Sequence, residues 1–462
     1  MLKNIWLRKG LLVAAILLLM SLALSWINGT VATRERHQQN AQQRVAESHP
    51  GEQTLIGPVL VVPYQEHYLH DVCDDKGKLL RQEPRSQRYE ARFFPDQMQL
   101  EGHISVHTRA VGIHPVRVYG LKGVLRGQFG VPDETQFVHH HRDSQLIIGK
   151  PSLVLALRDL RGFAIVPQLQ WGEQILVAQS GTDSEVLATG VHFDLPALPK
   201  GGAASRFMLA LDLSGMQSFA VVPVGRDNQV SLTSSWPHPS FGGHFLPRSE
   251  GRKITPEGFS AQWSLPSLAT AAQRTVAQAS KENEIWNADR IEVRFIDPIN
   301  IYSLSWRATE YGLLFIVIMF AAFFLFEVLK SLRIHAIQYA FIGAAQAIFF
   351  LLLLALSEQF AFLASYVTAA TACLLLTAIY LRHVLGSALR SLGFSVLLGV
   401  LYGLLYGILS AEDLAFLLGT ALVFTGLAAM MLVTRKIDWH QYLGGVGGAG
   451  GTEPAASTGE ST

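Results

Sequence analysis

The stretch Tyr311-Gly-Leu-Leu-Phe-Ile-Val-Ile-Met-Phe-Ala-Ala-Phe-Phe-Leu-Phe-Glu-Val-Leu329 opens an almost wholly apolar region that continues to Val433. Short polar gaps divide the region into five pieces, residues 311–329, 336–356, 360–381, 391–409 and 414–433. Each piece is close to the ~20 residues that a helix needs to span ~30 Å of hydrocarbon. Because backbone groups in lipid must pair internally, each piece is predicted to be a transmembrane helix. A very apolar soluble core is the alternative, but soluble helices keep a polar face that these pieces lack.

The gaps alternate in charge and predict an orientation. Cytoplasmic segments of membrane proteins carry an excess of Lys and Arg. Basic residues lie after the first, third and fifth pieces, namely Lys330, Arg333, His335, Arg382, His383, Arg390, Arg435 and Lys436. Acidic residues lie after the second and fourth pieces, namely Glu358, Glu412 and Asp413. The basic gaps and the C-terminal tail, residues 434–462, are therefore predicted to be cytoplasmic. The tail is rich in Gly, Ala, Ser, Thr and Glu and is predicted to be disordered.

The N-terminus predicts a sixth span. Residues 1–10 carry Lys3, Arg8 and Lys9 and are predicted to be cytoplasmic, and the apolar run 11–27 follows. A cleaved signal peptide is one interpretation of this run, with a cleavage site at residues 23–25. We favour an uncleaved signal anchor, because the run exceeds the ~7–15 apolar residues typical of signal peptides. Residues 28–53 are predicted to continue the helix or to form a linker.

Residues 54–302 are predicted to form a large β-rich domain on the non-cytoplasmic side of the membrane, as one domain or two subdomains. Short strands such as 207–212, 219–224 and 229–234 alternate with Gly, Pro and Asn turns, which is typical of a mostly antiparallel, sandwich-like sheet. One exception, residues 265–286, has a helical composition. The last strand is predicted at 291–302, leading directly into the membrane bundle.

Composition excludes several classes of function. Of 462 residues, 49% are hydrophobic and 16% charged, and the net charge of +1 gives no field that would attract nucleic acid. The two cysteines, Cys73 and Cys373, lie in the large domain and inside a predicted span, so we expect no disulfide between them. We find no zinc-binding spacing of Cys and His, and we predict no catalytic residue, metal or cofactor.

The loop from Thr233 to Pro247 is the densest unusual stretch. It combines three prolines and two glycines with the aromatic and histidine residues Trp236, His238, Phe241, His244 and Phe245. Such a loop is rigid, because proline fixes backbone angles. One interpretation is an interaction or catalytic loop with His238 and His244 as ligands or acid–base groups. The interpretation we favour is a structural loop whose aromatic residues close the end of the sandwich.

Three further features have structural explanations. His139-His140-His141 is predicted to be an exposed loop, because consecutive strand residues face opposite ways and seldom share a metal. Glu327 is explained by an ion pair with Lys330 at a helix end. The repeat Gly399, Gly403 and Gly407 lies on one helix face and predicts close helix packing, within the bundle or between copies.

The chain resembles the CreD family of bacterial inner-membrane proteins along nearly its whole length. The stretches that carry the resemblance are Ile56–Tyr64, Thr233–Pro247, Gly258–Trp263, Ile301 to Arg307, Phe323–Glu327, Leu351–Glu358 and Thr434–Trp439. The resemblance implies a role in envelope integrity, a link to a two-component regulatory system, and altered tolerance of colicins and β-lactams. It implies no catalytic residue or cofactor.

Three functions are therefore compared. The first is a non-enzymatic envelope protein whose β domain is a binding or scaffold module for other envelope proteins or cell-wall components, held at the lipid bilayer. The second is a membrane-tethered enzyme acting on envelope intermediates through residues 233–247. The third is a transporter, which requires an essential polar residue at mid-membrane.

Overall fold

The computed structural model describes residues 5–74, 79–111, 114–130, 132–182, 184–196, 204–296, 300–329, 334–384, 386–411 and 414–435. The chain divides into two compact units, one from residues 1–37 with 299–462 and the other from residues 38–298. The predicted tail beyond residue 435, the acidic pair Glu412–Asp413, and Lys330 with Arg333 lie outside the described residues.

The first unit is a helical membrane bundle. The helices of the chain, in order, are α1 (Ile5–Ser48), α2 (Ala272–Gln278), α3 (Glu282–Ile285), α4 (Ile301–Leu329), α5 (Ala336–Ser357), α6 (Phe362–Val384), α7 (Ala388–Ser410) and α8 (Ala415–Thr434). Within the described residues, six helices are long and apolar enough to cross a membrane, namely α1 and α4 to α8. The predicted six-span bundle is confirmed.

Helix α4 begins well before its predicted start, whereas α1 follows one of the two predicted alternatives. Helix α4 begins at Ile301 instead of residue 311, because the Asn300 side chain accepts hydrogen bonds from the backbone N–H groups of Tyr302 and Ser303, at 3.0 and 3.3 Å, and so caps the first turn. The last strand correspondingly ends at Phe295. Helix α1 is continuous through both the apolar run and the polar residues after it.

Helix α1 packs into the bundle through small residues on its neighbours. Met20, Leu24 and Ile27 are buried in the same apolar cluster as residues of α4 to α7. A Cβ added at Gly343 of α5 would lie 3.2 Å from Met20 Cγ, and one at Gly312 of α4 would lie 3.3 Å from Leu24 Cδ2. Glycine at these positions therefore lets the helices approach closely.

The second unit is built on two sheets. The strands are β1 (Gln53–Cys73), β2 (Leu79–Phe93), β3 (Gln97–Val111), β4 (His114–Phe129), β5 (Gln145–Ile148), β6 (Ser152–Leu157), β7 (Gln168–Trp171), β8 (Gln174–Val177), β9 (Gln179–Ser180), β10 (Gly190–Asp194), β11 (Ser205–Met216), β12 (Ser218–Val222), β13 (Asp227–Ser234), β14 (Pro239–Gly243), β15 (Lys253–Thr255), β16 (Gly258–Pro266) and β17 (Ile291–Phe295). The region predicted as one helix, 265–286, is instead the end of β16 followed by two short helices, α2 and α3.

Both sheets are mostly antiparallel. One has the order β14-β17-β12-β1-β6-β10-β9, with β2 and β5 also paired to β1, and the other has the order β15-β16-β13-β3-β4-β11-β7-β8. Among the described strand pairs, β1–β12 and β3–β13 are parallel. Residues from both sheets form one contiguous buried cluster, as in a sandwich. The predicted class, a helical membrane bundle with a mostly antiparallel β domain, is confirmed.

Candidate functional site

The long strand β1 carries an alternating polar and aromatic face. Tyr64, Glu66 and Tyr68 occupy every second position and therefore point to the same side of the strand. On the neighbouring strand β2, Tyr89 lies directly opposite Tyr64. The rings of Tyr64 and Tyr89 are stacked with their centroids 5.6 Å apart. This face of the β1–β2 ribbon supports the segment that contains the three histidines.

Glu66 is fully buried and holds that segment. One carboxylate oxygen accepts hydrogen bonds from the backbone N–H groups of His140 and His141, each at 2.9 Å, and from the Ser144 hydroxyl at 2.6 Å. The other oxygen lies 3.1 Å from His141 Nδ1. Successive backbone N–H groups aimed at one oxygen make a pocket for a negative charge. Glu66 therefore fixes the backbone from residue 140 to residue 144 against the sheet.

The surroundings of Glu66 keep it ionised. Burial alone would raise the pKa of Glu66, but hydrogen bonds from Ser144, His141 and the backbone of His140 lower this pKa from its ordinary value of 4.5 to about 2. The same charge has the opposite effect on its tyrosine neighbours. Burial, together with the Glu66 carboxylate, raises the pKa of Tyr64 and of Tyr89.

Two histidine rings lie on two tyrosine rings above this anchor. The His141 ring stacks on Tyr68 with centroids 3.4 Å apart and planes within 4°, and the His140 ring stacks on Tyr89 at 4.0 Å. His140 is exposed and His141 is half-buried. We call Glu66, Tyr68, Tyr89, His140 and His141 the Glu66 cluster. The triple histidine is thus an ordered surface segment, whereas the sequence predicted only an exposed loop.

The ionised Glu66 carboxylate predicts a pH-dependent contribution to stability. Because its folded pKa of about 2 is below the ordinary value of 4.5, the contribution is fully present above about pH 4.5 and is lost as the pH falls towards 2. We expect the difference in unfolding free energy between wild type and Glu66→Gln to be constant at neutral pH and to shrink between these pH values. Denaturant titrations of the purified full chain at several pH values measure it. A difference that persists unchanged at the acid end would contradict an ionic role for Glu66.

The sequence contained a signal for this cluster. The alternation Tyr64-x-Glu66-x-Tyr68 places a carboxylate between two aromatic residues on one strand face. The missing information was the partner, because residues 137–144 reach this face from a separate part of the chain. Among the described residues, no group of three or more His, Cys, Asp or Glu side chains has a geometry that could hold a metal ion.

The predicted interaction loop places most of its aromatic area on the core. Phe241 packs edge-to-face against Phe259 and Trp263, with centroids 5.6 and 5.7 Å away. Phe245 is partly buried against the same core, and its carbonyl accepts a hydrogen bond from Trp263 Nε1 at 3.1 Å. Trp236 is half-buried, and the guanidinium of Arg117 lies over its ring at 4.6 Å.

The two histidines of this loop lie at opposite ends of β14. The five-residue strand β14 lies between His238 and His244, so their Cα atoms are six steps, or roughly 20 Å, apart at ~3.3 Å per residue. His244 Nδ1 faces the backbone N–H of Arg290 at 3.4 Å, and its Nε2 lies 3.7 Å from Asp289 Oδ1. One site using both histidines is therefore not formed by this geometry. The interaction role of Trp236, His238, Phe241, His244 and Phe245 stays a prediction.

The glycine repeat of α7 has few close neighbours among the described residues. A Cβ added at Gly399 would lie 3.8 Å from Leu374 Cδ1, and one at Gly403 or Gly407 would meet no atom of the described residues within 4 Å. Gly403 and Gly407 are exposed, while the buried face of α7 consists of larger residues such as Leu398 and Tyr402. Close packing of these glycines against another helix stays a prediction.

Comparison with known proteins identifies the family. The profile of the family described as "Inner membrane protein CreD" matches residues 6–440. Inner membrane protein CreD of Escherichia coli (strain K12) is 32% identical over 438 residues, covering 95% of this chain and 94% of that protein. The chain belongs to the CreD family. It is accordingly a membrane protein of the cell envelope, as the resemblance implied, and its six spans are consistent with contact with the lipid bilayer.

Solved structures that match this CreD family member include an M1 zinc metallopeptidase from Deinococcus radiodurans. The identity is 11%, the match covers 43% of this chain and 42% of that chain, and the TM-score is 0.20. The match to the substrate-bound form of the same enzyme has the same values, 11% identity and a TM-score of 0.20. Likeness of this degree carries no functional argument.

In the bundle of this CreD family member, Glu327 has a partner that the sequence analysis did not name, and the predicted pair with Lys330 stays untested. Its carboxylate pairs with Lys9 of α1, and Lys330 lies outside the described residues. The same carboxylate accepts hydrogen bonds from the Tyr339 hydroxyl at 2.9 Å and from the Ile334 backbone N–H at 3.2 Å. Lys9 Nζ also donates to the Ile334 carbonyl at 2.6 Å. The ion pair therefore ties α1 to α4 and α5. A local pair with Lys330 was the simpler expectation because it needs no knowledge of which helices meet.

Proposed function

We propose that this CreD family member is a non-enzymatic binding module of the cell envelope. The bundle holds the β domain on the periplasmic side, with both termini in the cytoplasm, and the domain recognises another envelope protein or a cell-wall component through the Glu66 cluster. The role supports envelope integrity or the stress response. The observation that carries the proposal is an ionised, fully buried carboxylate that fixes the exposed His140 ring and the half-buried His141 ring on two half-buried tyrosine rings.

The geometry suits recognition because the surface is rigid before binding. Binding costs free energy when side chains must be ordered at an interface. Here the His140 and His141 backbone is already held by Glu66, and their rings are already stacked on Tyr89 and Tyr68. Aromatic rings with few rotatable bonds also supply contact area at low entropic cost. A partner therefore meets a preformed surface.

The orientation rests on charge at the helix ends. Arg382 and His383 lie in the last turn of α6, and Arg435 follows α8. The acidic residue Glu358 is the C-cap of α5, at a helix end that carries no basic residue in its last turn. By the positive-inside rule the basic ends are cytoplasmic, so the segment between α1 and α4 lies on the other side. A cysteine-accessibility scan with an impermeant reagent tests this orientation.

The function is tested in a strain that lacks the gene and shows an envelope-stress defect. His140→Ala removes a ring from the Glu66 cluster but keeps the backbone N–H that bonds Glu66. His238→Ala and His244→Ala, each an exposed histidine in the 233–247 loop, serve as matched controls. Membrane levels are checked by blot. We expect His140→Ala to reach normal levels and fail to restore the strain, and the controls to restore it.

The opposite pattern would place the recognition surface in the 233–247 loop and not in the Glu66 cluster. If His140→Ala restores the strain while His238→Ala or His244→Ala fails at normal levels, the 233–247 loop is the working surface, and either the interaction or the enzyme interpretation of that loop gains support. If all three restore it, the histidine rings have no role in recognition and the proposal is wrong. Turnover of an envelope substrate by the purified protein would also contradict the proposal that the protein is not an enzyme.

A further inference from the structure

Helices α5, α6 and α7 enclose a set of polar side chains halfway along their length. Gln346 lies near the middle of α5 and is fully buried, at 0% exposure. Tyr402 of α7 donates its hydroxyl to Gln346 Oε1 at 2.7 Å. The Cys373 thiol of α6 donates to the Ala345 carbonyl of α5 at 3.5 Å. These contacts join three helices at one level.

Two polar atoms in this region have no partner within the described part of the chain. They are the amide nitrogen of Gln346, Nε2, and the hydroxyl oxygen of Thr377, Oγ1. Thr377 is only 2% exposed and lies four residues after Cys373 on the buried face of α6, so their Cβ atoms are about 5–6 Å apart. An unpaired buried polar group costs roughly 1–3 kcal/mol, so each of these atoms requires an explanation.

Helix packing explains only part of the arrangement. The bond from Tyr402 to Gln346 joins α7 to α5 in the way polar residues commonly join membrane helices. It uses the amide oxygen of Gln346 and leaves the amide nitrogen unused. Thr377 contributes no bond between helices from its hydroxyl among the described contacts. Polar groups kept inside a membrane bundle without structural need are characteristic of sites that receive a ligand.

We propose that Gln346, Cys373, Thr377 and Tyr402 line a hydration site inside the bundle, which takes a neutral hydrogen-bonding ligand of the size of water. A buried water typically has two to four polar partners. Gln346 Nε2 supplies a donor, while the oxygens of Tyr402 and Thr377 supply acceptors. The ligand is neutral because none of these four side chains carries a formal charge. The site is separate from the Glu66 cluster and does not depend on the function proposed for it.

The thiol of Cys373 is a built-in probe of this site. The chain has two cysteines, so Cys73→Ser leaves Cys373 as the remaining thiol. Its S–H group exchanges to S–D only when water reaches it, and infrared spectroscopy in D2O follows that exchange in the full-length protein in lipid nanodiscs. The matched control carries Leu353→Cys in place of Cys373, because Leu353 is 1% exposed and lies among apolar side chains of α5.

We expect Cys373 to exchange at least about tenfold faster than the cysteine at position 353, which exchanges only when the bundle opens. Thr377→Val, which replaces the hydroxyl by a methyl group of similar size, and Gln346→Met should each slow the exchange of Cys373. If Gln346→Met fails to accumulate, Thr377→Val decides alone. Exchange of Cys373 as slow as that of the control, or unaffected by Thr377→Val, would overturn the proposal.

Discussion

Lys9→Ala is expected to lower the unfolding free energy of the membrane bundle by about 3–5 kcal/mol, because it leaves a buried charge without its counter-ion. The charge is that of Glu327, whose side chain is 1% exposed and whose partners at this end of the bundle are Lys9, Tyr339 and the Ile334 backbone. We expect the loss to be largest for α1, because Lys9 joins the N-terminal end of that helix to Glu327 of α4 and to the Ile334 carbonyl that precedes α5.

Arg34→Ala provides the matched control. Arg34 is a second cation of α1, but its side chain is 50% exposed, and its Nε lies 3.8 Å from Glu358, whose side chain is 11% exposed. Because the cation is half in solvent and the pair is too long for a hydrogen bond, we expect it to contribute about 1 kcal/mol. Unfolding of both variants in mixed micelles gives the comparison, and Lys9→Ala combined with Glu327→Gln should recover part of the loss. Equal effects of Lys9→Ala and Arg34→Ala would show that the Glu327 pair is not buried in the working protein.

Glu66→Ala is expected to lower the unfolding free energy of the β domain by about 3 kcal/mol, because three partly buried donors lose the carboxylate oxygen that accepts hydrogen bonds from all of them. The donors are the backbone N–H groups of His140 and His141 and the hydroxyl of Ser144. The segment that they belong to should also become accessible to hydrogen exchange, since Glu66 is what holds it against the sheet.

The control for Glu66 is another glutamate of the same domain. Glu101 lies on the exposed face of β3, its side chain is 60% exposed, and it is 2.5 Å from Arg126. Glu101→Ala should change the unfolding free energy by at most about 1 kcal/mol. Chemical denaturation of the purified full chain compares the two variants. A small effect of Glu66→Ala with exchange unchanged at residues 140–144 would contradict the anchoring role of Glu66.

Hydropathy alone was sufficient to locate the six candidate spans, but not all of their ends. The pieces predicted at 336–356 and 414–433 agree with α5 and α8 to within a residue or two at each end. They could be predicted because the composition of a span depends on the lipid around it and not on which helix it contacts. The prediction was wrong at the start of α4, where the polar residues Ser303, Ser305 and Arg307 led the predicted span to begin only at residue 311. There the helix is begun by a local cap at Asn300, a signal that hydropathy does not contain.

The candidate site was harder to predict because it depends on long-range pairing. The strand alternation placed Tyr64, Glu66 and Tyr68 on one face, but only the fold shows that residues 140–144 cover that face. Likewise the nearest basic residue in sequence suggested Lys330 for Glu327, and the fold supplied Lys9 from the opposite end of the chain. Periodicity fixes which way a side chain points, and tertiary contacts determine what it meets.

The parallel pairing of β1 with β12 has a consequence for how the chain is made. Gln53 of β1 pairs with Phe219 of β12, and Gln97 of β3 pairs with Asp227 of β13. In both sheets, therefore, an early strand pairs with a strand that is synthesised more than a hundred residues later. Closing such long loops is slow, and unfinished sheet edges expose apolar surface meanwhile. The emerging domain therefore depends on protection from aggregation until the β12–β13 region has left the ribosome, and truncations before residue 219 should be degraded rather than accumulate.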